Sequence, residues 1–149
     1  MFQFKSIGVK EKEAVKELFT SVFSNEPWND DWSDEVQLDR YINDLTGQAY
    51  SLTYGLYDGD ELIAVSMGYI KHWFTGTEYC IDELCVRRDR QGKGAGTYFM
   101  QEIEKAIKAM GLKNIFLQTD ANAPAYHFYK KLGFSELESH VSFNKKLDP

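Results

Sequence analysis

With 149 residues, 43% hydrophobic and 27% charged, the chain has the length and balance of one ordinary soluble globular domain, residues 1–149. No segment reaches the apolar length of a membrane helix, and Met1-Phe2-Gln3-Phe4-Lys5 lacks the basic-then-apolar character of a secretory signal, so a cytoplasmic protein is expected. The formal net charge of −6 argues against nucleic acid as a partner, because phosphate binding needs a basic surface.

In chain order, residues 2–8 alternate weakly, in the manner of a strand. From Lys10 to Phe23 the apolar positions Ala14, Val15, Leu18, Phe19, Val22 and Phe23 form one helical stripe, which Asn25-Glu26-Pro27 stops. Residues 26–39 carry Glu26, Asp30, Asp31, Asp34, Glu35 and Asp39 and no base. Ser33 suits the N-cap of a second helix, with Asp34 and Glu35 in its first turn, a stripe of Leu38, Tyr41, Ile42 and Leu45, and Gly47 at its end. Three strands are expected next, over Tyr50–Asp58, Glu61–Phe74 and Glu78–Val86. Asp58-Gly59-Asp60 and Thr75-Gly76-Thr77 turn the chain between them into an antiparallel meander. Cys80 and Cys85 lie in the third run, where their odd spacing puts them on opposite faces, unable to bridge and best read as small buried hydrophobes.

After Val86 a basic, glycine-rich loop with Arg87, Arg88, Arg90 and Lys93 leads into a helix carrying Phe99, Ile103, Ile107 and Met110 and ended by Gly111. Lys113–Thr119 reads as a strand, parallel to the one before the loop because a helix connects them. Pro124 opens a short helix with Phe128, Tyr129 and Leu132, closed by Gly133; two strands, Phe134–Leu137 and His140–Lys146, complete the pattern. The fold class is mixed α/β, in the order β-α-α-β-β-β-α-β-α-β-β. His72, His127 and His140 have no ligand spacing, and no metal is expected.

A strand, a cationic turn and a helix start make an anion site, since the first helix amides lack internal partners and glycines let a ligand reach the backbone. Lys93, and Arg88 or Arg90, could add contacts to outer phosphates. A P-loop would need Ser or Thr after Lys93, where Gly94 stands; a dinucleotide fingerprint would need glycine at Thr97.

Two motifs carry a family resemblance. Gln91-x-x-Gly94-x-Gly96, after Leu84-Cys85-Val86, resembles the Q/R-x-x-G-x-G/A signature of the GCN5-related N-acetyltransferases (GNAT). Asn122-x-x-Ala125-x-x-Phe128-Tyr129-x-x-Leu132-Gly133-Phe134 resembles that family's N-x-x-A-x-x-F-Y-x-x-L-G-F segment. The match covers about the C-terminal half. The resemblance implies the GNAT fold, a central, mostly antiparallel sheet flanked by helices, and acetyl-CoA as cosubstrate. Its diphosphate would lie on the backbone of Gln91, Gly92, Lys93, Gly94, Ala95 and Gly96. Its pantetheine arm would lie along Leu84, Cys85 and Val86 and against Asn122, and Tyr129 would face the departing thiolate as the acid, with Tyr126 as fallback.

Acetyl transfer also needs a base to remove a proton from the acceptor amine. Asp82 and Glu83 interrupt the apolar strand beside the expected thioester. Being adjacent they should point to opposite faces, so one of them serves. Aminoglycoside-modifying relatives tend to place an acid at the position of Asp82, with Glu83 the alternative. A bulge here, implied by the resemblance, would free an amide for the thioester oxygen. Between the first two helices Trp28, Asp30, Asp31 and Trp32 could meet a cationic acceptor such as an aminoglycoside or polyamine, or serve as core anchors and solvated acids. Tyr69, His72, Trp73 and Phe74 could form a second wall and close the pocket. The rival functions are acetylation of a peptide N-terminus or lysine, which needs an open groove, and a non-catalytic CoA-binding regulator. Dimers are common among relatives, so a homodimer is possible.

Overall fold

A computed structural model describes residues 1–149, which divide into two compact units, Met1–Gln118 and Thr119–Pro149. The first unit runs β1 (Phe2–Ser6), α1 (Lys12–Phe23), α2 (Glu35–Thr46), β2 (Ser51–Asp58), β3 (Glu61–Trp73), β4 (Gly76–Val86), α3 (Ala95–Ala109) and β5 (Asn114–Leu117). Its sheet has the order β1-β2-β3-β4-β5, antiparallel through β4, with β5 parallel to β4 across the α3 connection. The mixed α/β class, the meander and the parallel crossover are as expected from the sequence.

The apolar stripe of α1 buries Val15, Leu18, Phe19, Val22 and Phe23. With Leu38, Ile42 and Leu45 of α2 it packs on Val65, Met67 and Cys85 of the sheet. The opposite sheet face meets α3, where the rings of Phe4 and Phe99 lie 6.0 Å apart. There the buried Tyr79 donates its hydroxyl to the Leu52 carbonyl at 2.9 Å and lies 2.8 Å from Ser66 Oγ. The N-cap of α2 is Asp34, not Ser33: its carboxylate accepts from the amides of Val36 and Gln37, both at 3.1 Å. A carboxylate answers both the open amides and the helix dipole, which a hydroxyl one residue earlier cannot do.

One irregularity governs the site. The β3–β4 register passes from Met67 opposite Glu83 to Gly68 opposite Ile81, so Asp82 is an extra, unpaired residue. Gly68 allows the close approach: a methyl carbon there would lie 2.2 Å from the Cys80 carbonyl oxygen. The bulge also overturns the parity read from sequence. Cys80 and Cys85 stand opposite Tyr69 and Val65, whose even spacing on β3 puts both cysteines on one face, where they remain free and buried.

The second unit holds α4 (Pro124–Lys131), opened by Pro124. Its Tyr129 is buried, with ring centroids 5.3 Å from Phe128 and 5.4 Å from Phe134. The two strands expected over Phe134–Leu137 and His140–Lys146 do not form. Val141 and Phe143, the apolar members of that alternation, are 73% and 94% exposed, and an alternating pattern makes a strand only where its apolar face is covered. No helix is long and apolar enough to cross a membrane.

Candidate active site

The β4 bulge brings a carboxylate under α2. Glu83 is partly buried and lies opposite Met67, on the face that α1 and α2 cover. Tyr41, in the middle of the α2 stripe, donates its hydroxyl to Glu83 Oε2. Burial pushes the Glu83 carboxyl up, Tyr41's hydrogen bond pulls it down, and the charges of Asp82 and Asp30 push it up again. Burial, the bond to Glu83 and the fields of Glu83, Asp82 and Asp30 hold the Tyr41 phenol well above its ordinary range. Asp82 is exposed as a residue, though partial burial of its carboxyl pushes it up as well. The bulge breaks the alternation that would divide the two carboxylates between faces: Glu83 takes the Tyr41 hydrogen bond, while the charge of Asp82 reaches Tyr41 on this face and Tyr79 on the other. Tyr41 was legible only as a core residue of an apolar stripe, since nothing in its spacing marks the hydroxyl.

The α1–α2 connection is tied down by its own backbone, with Trp28 and Asn29 amides bonded to the Asn25 carbonyl and the Asp30 amide to Phe23. Trp28 packs on Phe23, with centroids 5.6 Å apart. Trp32 meets Phe19 edge-on at 5.4 Å and stacks on Tyr41 at 5.2 Å with 14° between the planes. Both tryptophans thus anchor the core edge. Trp32, Asp30 and Asp31 also line an open cavity of about 670 Å³ with Glu13, Glu17, Glu35 and one cation, Lys16, which is paired with Asp39; Trp28 does not. The hydrogen bonds of Ser33 hold the Asp31 carboxyl below its usual range. Glu83 does not line this cavity. The two are joined through Trp32, stacked on the tyrosine that holds Glu83, and through Asp30, whose charge reaches both.

The second wall expected from Tyr69, His72, Trp73 and Phe74 is not a wall. Trp73 and Phe74 are 50% and 86% exposed, at the end of the β3–β4 hairpin and edge-to-face with each other. His72 is exposed beside Thr77, and Tyr69 packs edge-on against Tyr50. Two residues at a hairpin tip have no third layer to face.

The glycine turn is built as an open cradle. Gly92 and Gly94 have φ of 74° and 88°, in the left-handed region, and a Cβ at either position would meet nothing within 4 Å. Gly94 is the N-cap of α3, which has neither a side-chain cap nor an acid in its first turn, in contrast to the Asp34-capped α2. The first amides of α3, from Ala95 and Gly96 onward, are thus available to an anion. Gln91 donates its side-chain amide to the Val86 carbonyl at 2.8 Å and closes the turn onto β4. Beyond Ile81 the β5 side of β4 has no strand partner, because the parallel ladder ends at Ile81 opposite Leu117, and of the segment Asp82–Val86 the Val86 carbonyl is taken by Gln91. Leu84 and Val86 are partly buried there, and Cys85 is buried on the helix face.

The cations of the loop divide. Arg87 forks onto Glu17 at 2.8 and 3.3 Å, and Arg90 pairs with Asp58 and Glu61, so Arg90 is not free for a phosphate. Arg88 and Lys93 donate to the neutral carbonyls of Glu26 and Asp89 at 3.0 and 3.1 Å and keep their charge uncompensated. In the second unit, Asn122 is exposed in the turn before α4, Tyr129 is buried on the helix, and Tyr126 is partly buried against His127.

Comparison with known proteins identifies the family and the fold. Residues 12–134 match the family model described as the acetyltransferase (GNAT) family. The chain belongs to the GNAT acetyltransferase family. A mycothiol acetyltransferase of Corynebacterium glutamicum (strain R) is 30% identical over 94 residues, 60% of this chain and 30% of that protein. The chain spans about a third of the length of the curated relatives it matches, 33% and 30% in two cases. Among solved structures, the aminoglycoside acetyltransferase HMB0005 from an uncultured soil metagenomic sample superposes with a TM-score of 0.75 at 21% identity, over 99% of both chains. AAC(6')-Iy in complex with the bisubstrate analogue CoA-S-monomethyl-acetylneamine gives 0.75 at 12% identity, again over 99% of both. Identities this low establish a shared fold. The GNAT fold therefore stands for this chain, with five strands in its sheet.

Proposed function

We propose that the chain is an N-acetyltransferase domain, residues 1–149, that moves an acetyl group from acetyl-CoA to a primary amine of a cationic small molecule. The observation that carries this reading is the partly buried Glu83 at the β4 bulge, on the strand that is followed, after the glycine turn, by the uncapped start of α3. The open glycine positions, the free amides and the uncompensated Arg88 and Lys93 fit a diphosphate. Acetyl-CoA, when bound, supplies the thioester whose acyl group is transferred.

On this reading the chain's residues do the following. The backbone of Gln91–Gly96 holds the diphosphate, and the β5-side edge of Leu84–Val86 holds the pantetheine arm; Asn122, in the second unit, is assigned to the pantetheine on its family motif alone. Glu83, in preference to Asp82, accepts the proton that the acceptor ammonium must lose before its nitrogen can attack. Its raised affinity for protons, from burial and from Asp82 and Asp30, makes it a stronger base than a free glutamate. Tyr129 returns a proton to the leaving thiolate. Asp30, Asp31 and Trp32 draw a cation to the α1–α2 side, and the aminoglycoside acetyltransferases among the structural neighbours fit that preference. The exposed Trp73 and Phe74 remove the closed-pocket objection to a peptide acceptor, so acidity of the site and not closure favours a small cation.

Thiol release from acetyl-CoA across a panel of aminoglycosides, polyamines, lysine-bearing peptides and peptide N-termini tests the proposal. Release with cationic small amines is expected. Activity on peptides alone replaces the acceptor class, and CoA binding without turnover on any amine leaves a CoA-binding regulator.

A further inference from the structure

We infer that Tyr41 is a positioning residue for the reaction: its hydroxyl fixes the Glu83 carboxylate and links it to the Trp32 side of the acceptor loop. The inference rests on the proposal that Glu83 is the base. Four observations bear on it. The phenol donates to one oxygen of Glu83, Oε2, and the other oxygen takes no hydrogen bond, so one face of the carboxylate is held and the other is available to an amine. The Tyr41 ring is fixed by stacking on Trp32 at 5.2 Å and by the buried Phe19 ring at 5.8 Å. Trp32 also lines the cavity with Asp30 and Asp31, so the stack connects the hydroxyl to the acceptor loop. Finally, the groups facing Glu83 are of one sign: Asp30 from the loop and Asp82 on its own strand both oppose its charge, Cys85 two residues on is a buried neutral thiol, and β3 presents Met67 opposite it. Tyr41 is the donor that offsets them.

The helix position explains why a tyrosine suits this role. A stripe residue one turn beyond Leu38 must bury its ring in any case, and only tyrosine adds a donor beyond that ring without disturbing the packing. Without the donor, burial beside two further carboxylates favours the protonated form of Glu83, which cannot accept the acceptor's proton.

Tyr41→Phe keeps the ring and the stack and deletes the donor. Two readouts are needed. The first is titration of Glu83 in the substrate-free protein, followed by carboxyl carbon NMR, with Glu83→Gln to assign the signal. The second is the pH profile of kcat/KM with the best amine of the panel. A base must be ionised, so activity falls below its pKa; losing a bond that favours the ionised form moves that acid limb to higher pH. Expected is an upward move of both the NMR titration and the acid limb in Tyr41→Phe, with kcat/KM on the low-pH side reduced about ten- to a hundredfold and partly recovered at high pH. Difluorotyrosine at position 41, a stronger donor, should move both the opposite way; it also serves if the phenylalanine variant is poorly folded. If Glu83→Gln abolishes turnover while Tyr41→Phe leaves both profiles unmoved, Tyr41 is packing only and the inference fails alone. If Glu83→Gln keeps wild-type turnover, the base itself is misassigned, and the inference falls with the proposal that carries it.

Discussion

Replacing Gly68 with alanine tests whether the bulge is built on a close backbone approach. The added carbon would lie 2.2 Å from the Cys80 carbonyl oxygen, 2.8 Å from Tyr79 Cε1 and 3.0 Å from the Cys80 carbonyl carbon. Carbon–oxygen contacts that carry no penalty begin near about 3.3 Å, so β3 and β4 must separate by roughly an ångström or shear. Neither neighbour can step aside: one is main chain, and the other is a buried ring tied through its hydroxyl to Leu52 and Ser66. Overpacking of this kind costs about 1–3 kcal/mol. For a chain of this size, each kcal/mol lowers Tm by about 2–4 °C, so a fall of about 2–12 °C is expected in thermal unfolding followed by circular dichroism. Gly55→Ala is the control. There a new carbon would meet only side-chain ends, Leu62 Cδ1 at 2.9 Å and Ile7 methyls at 3.2 and 3.3 Å, which can shift, so its fall in Tm should be smaller. Wild-type Tm in Gly68→Ala, or equal losses in the two variants, would refute the reasoning. Because Asp82 and Glu83 stand across this ladder, Gly68→Ala should also lose turnover at temperatures where it remains folded.

Three further outcomes are expected. Glu83→Gln should lower kcat by about 10²–10⁴ while Asp82→Asn retains most of it; the reverse order, measured by thiol release, would return the base to Asp82. Gly94→Asp should weaken CoA binding in isothermal titration, since it adds a negative charge and a side chain over the open start of α3; equal affinity would move the diphosphate elsewhere. Arg87→Gln should lose no more than about 1 kcal/mol near neutral pH from the ion pair, as Glu17 is largely exposed, besides what its hydrogen bond to the Leu62 carbonyl contributes. Arg87 holds Glu17 below its ordinary 4.5, so that contribution is complete above about pH 4.5 and is lost as pH falls through the folded-state value. The gap in Tm between the two proteins should narrow in acid but not close, because Arg87 also donates to the Leu62 carbonyl. A gap that widens on acidification would contradict the pairing.

The elements that sequence made legible are those whose own period decides them. The stripes of α1, α2 and α3 bury most of the residues that their spacing selects, Ala14 and Met110 being the exposed exceptions, and Gly47 and Pro124 stand where they mark helix ends. The glycine turn was legible because its chemistry is main-chain chemistry, and positive φ at Gly92 and Gly94 is a property of those residues. What the period could not carry was anything decided between strands. Parity placed Cys80 and Cys85 on opposite faces and one unpaired residue undid that inference; the same residue, Asp82, removes the alternation from which Asp82 and Glu83 were divided. The terminal alternation of Val141 and Phe143 looked like a strand for the converse reason, since local pattern supplies no partner. Arg90 looked available for phosphate because its partners, Asp58 and Glu61, lie about thirty residues away in sequence, across the β2–β3 hairpin.

The acidity of the site has opposite effects on the two halves of the proposed reaction. Asp30, Asp31, Asp82 and Glu83 together attract an ammonium, but the same field makes that ammonium hold its proton more tightly, which slows the step that must follow. Glu83 gains in return, because burial and its acidic neighbours raise its own proton affinity and narrow the difference that the transfer must cross. Carried too far, the same shift would leave Glu83 protonated and inert. The Tyr41 hydrogen bond acts against that limit, favouring the ionised form at one oxygen without adding a positive charge that would repel the substrate, as an arginine would. A neutral donor is thus the only kind that satisfies both constraints, and α2 places one there as part of its core stripe.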